Sequence, residues 1–67
     1  MKKEIVELFI KEWKEQPNNL LLVFDQIEVN YRIASKDGNY FILTRDYDPD
    51  RVNLHIDNDV VVKYNWG

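Results

Sequence analysis

Asp46, Asp48 and Asp50 stand at alternate positions in this chain of 67 residues, and carboxylates at that spacing are how a loop begins to surround a hard cation. Pro49 interrupts the series, Arg51 occupies the sixth position where such a loop needs glycine, and no glutamate closes it. The triad therefore reads as turn chemistry, with no metal expected. His55 is the single histidine and falls at an outward position of an alternating stretch, where an imidazole is solvated; alone it cannot assemble a zinc site. Ser35 has no base beside it in the pattern. With Gly38 and Gly67 as the two glycines, neither a phosphate-cradling loop nor a nucleophile elbow can be written. Cysteine is absent, which removes disulfides, thiolate metal sites and sulfur nucleophiles. No catalytic residue and no cofactor is assigned, and the expectation is a protein that is not an enzyme and works by binding.

The elements that would carry these residues follow from apolar spacing. Between Lys2 and Glu15, Ile5, Phe9 and Trp13 recur every four residues with Val6 and Ile10 beside them, while Glu4, Glu7, Lys11 and Lys14 fall opposite. This predicts an amphipathic helix, supported by Glu7 and Lys11 in the favourable i,i+4 order and ended by Pro17. Leu20–Phe24 is a short apolar run and Ile27–Ile33 alternates, so both predict strand. Asp37-Gly38 predicts a hairpin leading into a strand from Tyr40 to Leu43. Asp48-Pro49-Asp50-Arg51 predicts a turn, Val52–Ile56 an alternating strand, Asp57-Asn58-Asp59 another turn, and Val60–Tyr64 a last strand. The fold class expected is α+β: one N-terminal amphipathic helix packed on an antiparallel sheet of about four strands, in one domain spanning residues 1–67.

Hydrophobic residues make up 45% of the chain and aromatics 13%, enough for one packed core without metals or cross-links. The net charge is −3, from 12 acidic against 9 basic residues, which argues against gripping a phosphate backbone, so no nucleic acid partner is expected. No run approaches the ~18 apolar residues that span a bilayer, and no membrane partner is expected. A cytoplasmic location is the default reading, although a mature secreted product renumbered from a new Met1 would look the same.

Thr44-Arg45-Asp46-Tyr47-Asp48-Pro49-Asp50-Arg51-Val52-Asn53-Leu54, followed by Val60-Val61-Val62 and Gly67, resembles the potato inhibitor I family, and more closely its short microbial relatives. The resemblance covers residues 44–67, about a third of the chain. It implies an extended loop presented to a serine protease as if it were substrate, with Arg45 filling the enzyme's primary pocket, Thr44 before it and Asp46 after it. An arginine there suits a trypsin-like or subtilisin-like enzyme. It further implies that Arg51 supports the loop from the strand behind, with Asp46 as its carboxylate partner. Asp48 stands where the family usually has an arginine, and the residues up to Tyr40 do not match the family's front half.

Two functions of different class are therefore expected to compete. One is a serine protease inhibitor whose binding residues are Thr44, Arg45, Asp46, Tyr47, Asp48 and Arg51. The other is an acidic protein-interaction module, such as a phage or mobile-element product that blocks a host defence or regulatory factor, gripping its partner through acidic turns or by strand addition. A homodimer is a further variant, since Tyr40, Tyr47, Tyr64 and Trp66 supply more aromatic surface than one thin core obviously needs; Trp66 closing the core against Trp13 is the alternative use.

Overall fold

The computed structural model describes residues 3–41 and 46–67. Among them the chain forms two helices, α1 (Lys3–Trp13) and α2 (Pro17–Gln26), and four strands, β1 (Tyr31–Lys36), β2 (Asn39–Tyr40), β3 (Val52–Asp57) and β4 (Val60–Trp66). The α+β class holds, with two corrections: there is a second helix, and the sheet is mixed.

The helix expected at the N-terminus is α1. It turns Val6 and Ile10 fully inward, with Phe9 and Trp13 partly covered, whereas Ile5 faces out. Pro17 does more than end it. Proline lacks an N–H and has its φ already set for a helix, so it suits a first turn, where that N–H has no partner anyway. Here it begins α2, with Gln16 at the N-cap accepting the Leu20 N–H at 3.0 Å. The strand expected at Leu20–Phe24 is thus the middle of a helix. Leu20 and Phe24, four apart, are both fully buried, while Leu22 between them is exposed. Burying each of that pair is worth roughly 1.5–3 kcal/mol relative to leaving it in water.

The segment after α2, expected as strand from Ile27, first closes the helix. Val29 N–H donates to Phe24 O at 2.9 Å and Glu28 N–H to Asp25 O at 3.4 Å, the paired bonds of a Schellman motif. Glu28 takes the left-handed position usually given to glycine, with φ 59°. Strand β1 starts only at Tyr31.

The sheet order is β2-β1-β3-β4. Asp37 and Gly38 both have positive φ, at 52° and 81°, and close the expected two-residue hairpin, pairing Ser35 with Tyr40 and Lys36 with Asn39. Asn58 and Asp59 do the same between β3 and β4. The unexpected pairing is β1 with β3, which is parallel: Tyr31 lies opposite Val52, Arg32 opposite Asn53 and Ile33 opposite Leu54. Parallel neighbours need a crossover connection. Residues 37–51, which include β2, lie between the two strands in sequence, and β3 enters beside the start of β1, where Val52 N–H bonds Asn30 O at 3.0 Å.

Val52, Leu54 and Ile56 alternate inward and meet Val6, Ile10, Leu20, Phe24 and Val61 in one core beneath the helices. Trp66 packs on this core, as does Trp13, and its Nε1 donates to Glu7 on α1 at 3.1 Å. No helix is long and apolar enough to cross a membrane, among the described residues.

Candidate functional site

The crossover places the turn at 46–51 beside three other pieces of backbone: Asn30, the start of β3, and Gly67 at the end of β4. Asp48-Pro49-Asp50-Arg51 forms the expected turn. Pro49 presets the corner, Arg51 N–H donates to Asp48 O at 3.0 Å, and Asp50 N–H donates to Asp48 Oδ1 at 2.9 Å. The second carboxylate oxygen of Asp48 accepts from Asn30 Nδ2 at 2.8 Å. Where the resembled family usually has an arginine, this chain thus has an acceptor that ties the turn to the approach of β1.

Arg51 is largely covered and spreads its guanidinium across two partners. Its Nε donates to Gly67 O at 3.2 Å, its Nη1 pairs with Asp46 Oδ2 at 3.3 Å, and its Nη2 donates to the backbone carbonyl of Asp46. The planar fork suits this: one rigid group fixes a side chain, a peptide carbonyl and a strand end at once. Because the Asp46 carboxylate is 67% exposed, the ion pair itself is worth at most about 1 kcal/mol, and its main effect is positional. Tyr47 is exposed and leans its ring on Gly67, close enough that a Cβ there would stand 3.1 Å from Tyr47 Cε1.

Behind the turn a second polar set runs across the outer face of the sheet. Arg32 Nε donates to Asn53 Oδ1, and Asn53 Nδ2 donates to Asn65 Oδ1 at 2.9 Å and to Gly67 O at 3.1 Å. Asn53 is only 6% exposed, and with these bonds its amide is satisfied at both ends. Gly67 O is therefore shared by Arg51 and Asn53.

Of the six residues assigned to binding, Asp46, Tyr47, Asp48 and Arg51 are brought together at this turn; Thr44 and Arg45 lie outside the described residues. Asn30, Arg32, Asn53 and the Gly67 carbonyl were not assigned. Asn30 and Arg32 fell on the wet side of an alternation and carried no signal of their long-range partners. Gly67 did appear in the resemblance, but a backbone acceptor leaves no side-chain trace. The carboxylates of Asp46 and Asp48 point into separate bonds, and among the described residues no group of three acids or histidines is arranged to hold a metal ion.

Ser35, read as lacking a base, lies with its Oγ 2.8 Å from His55 Nδ1. A register shift between Ile33 and Ser35 sets Ser35, not Ala34, opposite His55 across the parallel pair. Partial burial, and then the positive charge of Lys63 opposite it on β4, push the His55 pKa down from its ordinary value and favour the neutral ring. The serine is itself buried on the sheet, and the pair acts as a satisfied polar contact between two strands.

Comparison with protein-family models, with curated proteins and with solved structures gives no significant match to this chain. The resemblance over residues 44–67 rests on its motif residues alone.

Proposed function

We propose that this chain is a small non-enzymatic inhibitor that offers the segment around Arg45 to a serine protease, with Arg45 entering the primary specificity pocket, Thr44 and Asp46 flanking the bond, and Tyr47, Asp48 and Arg51 maintaining the loop. The observation that supports it is the clamp on Asp46: Arg51 holds both its carboxylate and its backbone carbonyl while bonding the end of β4. A substrate-like segment whose C-terminal side is already fixed loses less freedom on binding, and that saving appears as affinity. The same restraint would hold the new Asp46 end in place after cleavage, which is one of the two ends that resealing needs.

The test is a titration of trypsin and of subtilisin with the intact chain and with Arg45→Ala, following hydrolysis of a small reporter substrate. Tight inhibition that the substitution abolishes is the expected result. Absence of inhibition of either enzyme sinks the proposal and leaves the acidic protein-interaction module, for which affinity capture of a host protein is the next experiment.

A further inference from the structure

We propose that the outer face of the helical layer is a docking site for a basic amphipathic segment of a partner protein, which goes beyond the reading of the Arg45 segment and does not depend on it. Ile5 and Leu8 on α1 are 51% and 60% exposed, Leu22 on α2 is 61% exposed, and Ile27 just after α2 is 38% exposed. Ile27 links Ile5 on α1 to Leu22 on α2, and Leu8 lies one helical turn from Ile5. Ile27 lines one depression of about 360 Å³ with Ile5, Val6 and Phe9, and another of about 300 Å³ with Leu22, Val23 and Gln26. The apolar surface is thus continuous across both helices, a pattern that marks interaction sites, whereas single exposed leucines would mean nothing.

The charges around it are sorted. Glu4, Leu8 and Glu12 share one i,i+4 row of α1, next to Ile5, and both glutamates are in solvent or at its edge. The lysines of α1 lie on the side turned toward β4: Lys3 Nζ sits 4.9 Å from the Trp66 ring centroid, and Lys11 lines a groove with Val61, Val62 and Tyr64. Beyond Ile27 the surface continues into a depression lined by Glu28 and Asp50. Acids therefore border the apolar face at both ends. A second copy of the chain would bring these acids against one another, whereas a helix carrying apolar residues at i, i+3, i+4 and i+7 between lysines or arginines would satisfy both the apolar floor and its rim.

The experiment uses the full chain, isotope-labelled, titrated with a synthetic amphipathic helix of leucines and lysines and with the same pattern built from leucines and glutamates. The basic peptide is expected to bind with amide shifts concentrated in α1, α2 and Ile27–Glu28. Leu8→Glu and the pair Glu4→Lys with Glu12→Lys should each weaken it by about tenfold or more, and Arg45→Ala should leave it unchanged. Because Leu8 lies outside the core, the thermal melt of Leu8→Glu should match the parent, and that of the Glu4→Lys, Glu12→Lys pair should fall only by the small cost of losing the first-turn acid, separating lost docking from lost folding. Equal binding of the acidic peptide, no binding of the basic one, shifts centred on β4 or on the 46–51 turn, or concentration-dependent self-association through this face would each overturn the proposal.

Discussion

Arg51 and Gly67 bond each other in both directions: the Gly67 N–H donates to Arg51 O at 2.9 Å, and Arg51 Nε donates to Gly67 O at 3.2 Å. One residue is thereby locked to the far end of the sheet while its guanidinium reaches forward to Asp46. The turn at 46–51 is braced against β4 through both the backbone and the side chain of Arg51, and Asn53 braces the same Gly67 carbonyl from β3.

Replacing Arg51 with lysine keeps the charge but removes the fork, because an ammonium is a point donor and cannot span Asp46 and Gly67 together. Arg51→Lys is expected to lower stability by about 1–2 kcal/mol, the worth of a charged-group hydrogen bond or two, and Arg51→Ala by about 2–3 kcal/mol. If the inhibitory proposal holds, the lysine variant also shifts from inhibitor toward substrate, being cut faster by the target protease. Denaturant unfolding and a timed digest check the two effects separately; a lysine variant identical to the parent in both would remove the clamp from the account.

Glu28 holds a left-handed conformation at φ 59° to close α2. Its Cβ crowds the backbone there, a cost of about 1 kcal/mol that glycine does not incur, although glycine also gains freedom in the unfolded chain. Glu28→Gly should therefore raise stability by about 0.5 kcal/mol, visible as a small rise in Tm, while Glu28→Val should lower it. The opposite order would show that the Glu28 side chain contributes something the backbone account omits.

Local signals in this sequence were faithful where chemistry forces one conformation. Asp37-Gly38, the Asp-Pro turn at 48–51 and the 57–59 turn all stand where their residues place them, because positive φ and a preset proline φ admit few alternatives. The failures come from residues that allow two answers. Leu20–Phe24 is apolar at every position, so strand and helix fit it equally, and Pro17 signals a helix start as well as a stop. The parallel pairing of β1 with β3 has no local signal: alternation says which face a residue takes, never which strand lies beside it. At the candidate site the Arg51–Asp46 pair is anticipated through the motif resemblance, which sets Arg51 behind Asp46, and the structure shows the pair. The ties from Asn30 and Gly67 span 18 and 16 positions, and neutral amides and backbone carbonyls advertise no partner at that range.

The place of His55 in the sheet, partly buried and opposite Lys63, gives the stability of the fold a pH dependence with a definite sign. Burial first, and then Lys63, disfavour the protonated His55 ring in the native chain, so its pKa lies below the 6.5 of the unfolded chain. Between those two values the unfolded chain binds more protons than the native one, and stability rises with pH. The contribution is complete above pH 6.5 and is lost as pH falls through the lowered native value. Stability of the parent should therefore begin to decline as pH falls through 6.5, above the range in which most carboxylates titrate. Titrating the His55 ring by NMR locates the native pKa, and the same melts on His55→Gln, which cannot gain a proton, should show a flatter slope. Lys63→Gln removes the like charge and should move the native pKa back up. An unchanged slope in His55→Gln would mean that the acid sensitivity resides in the carboxylates of the turns instead.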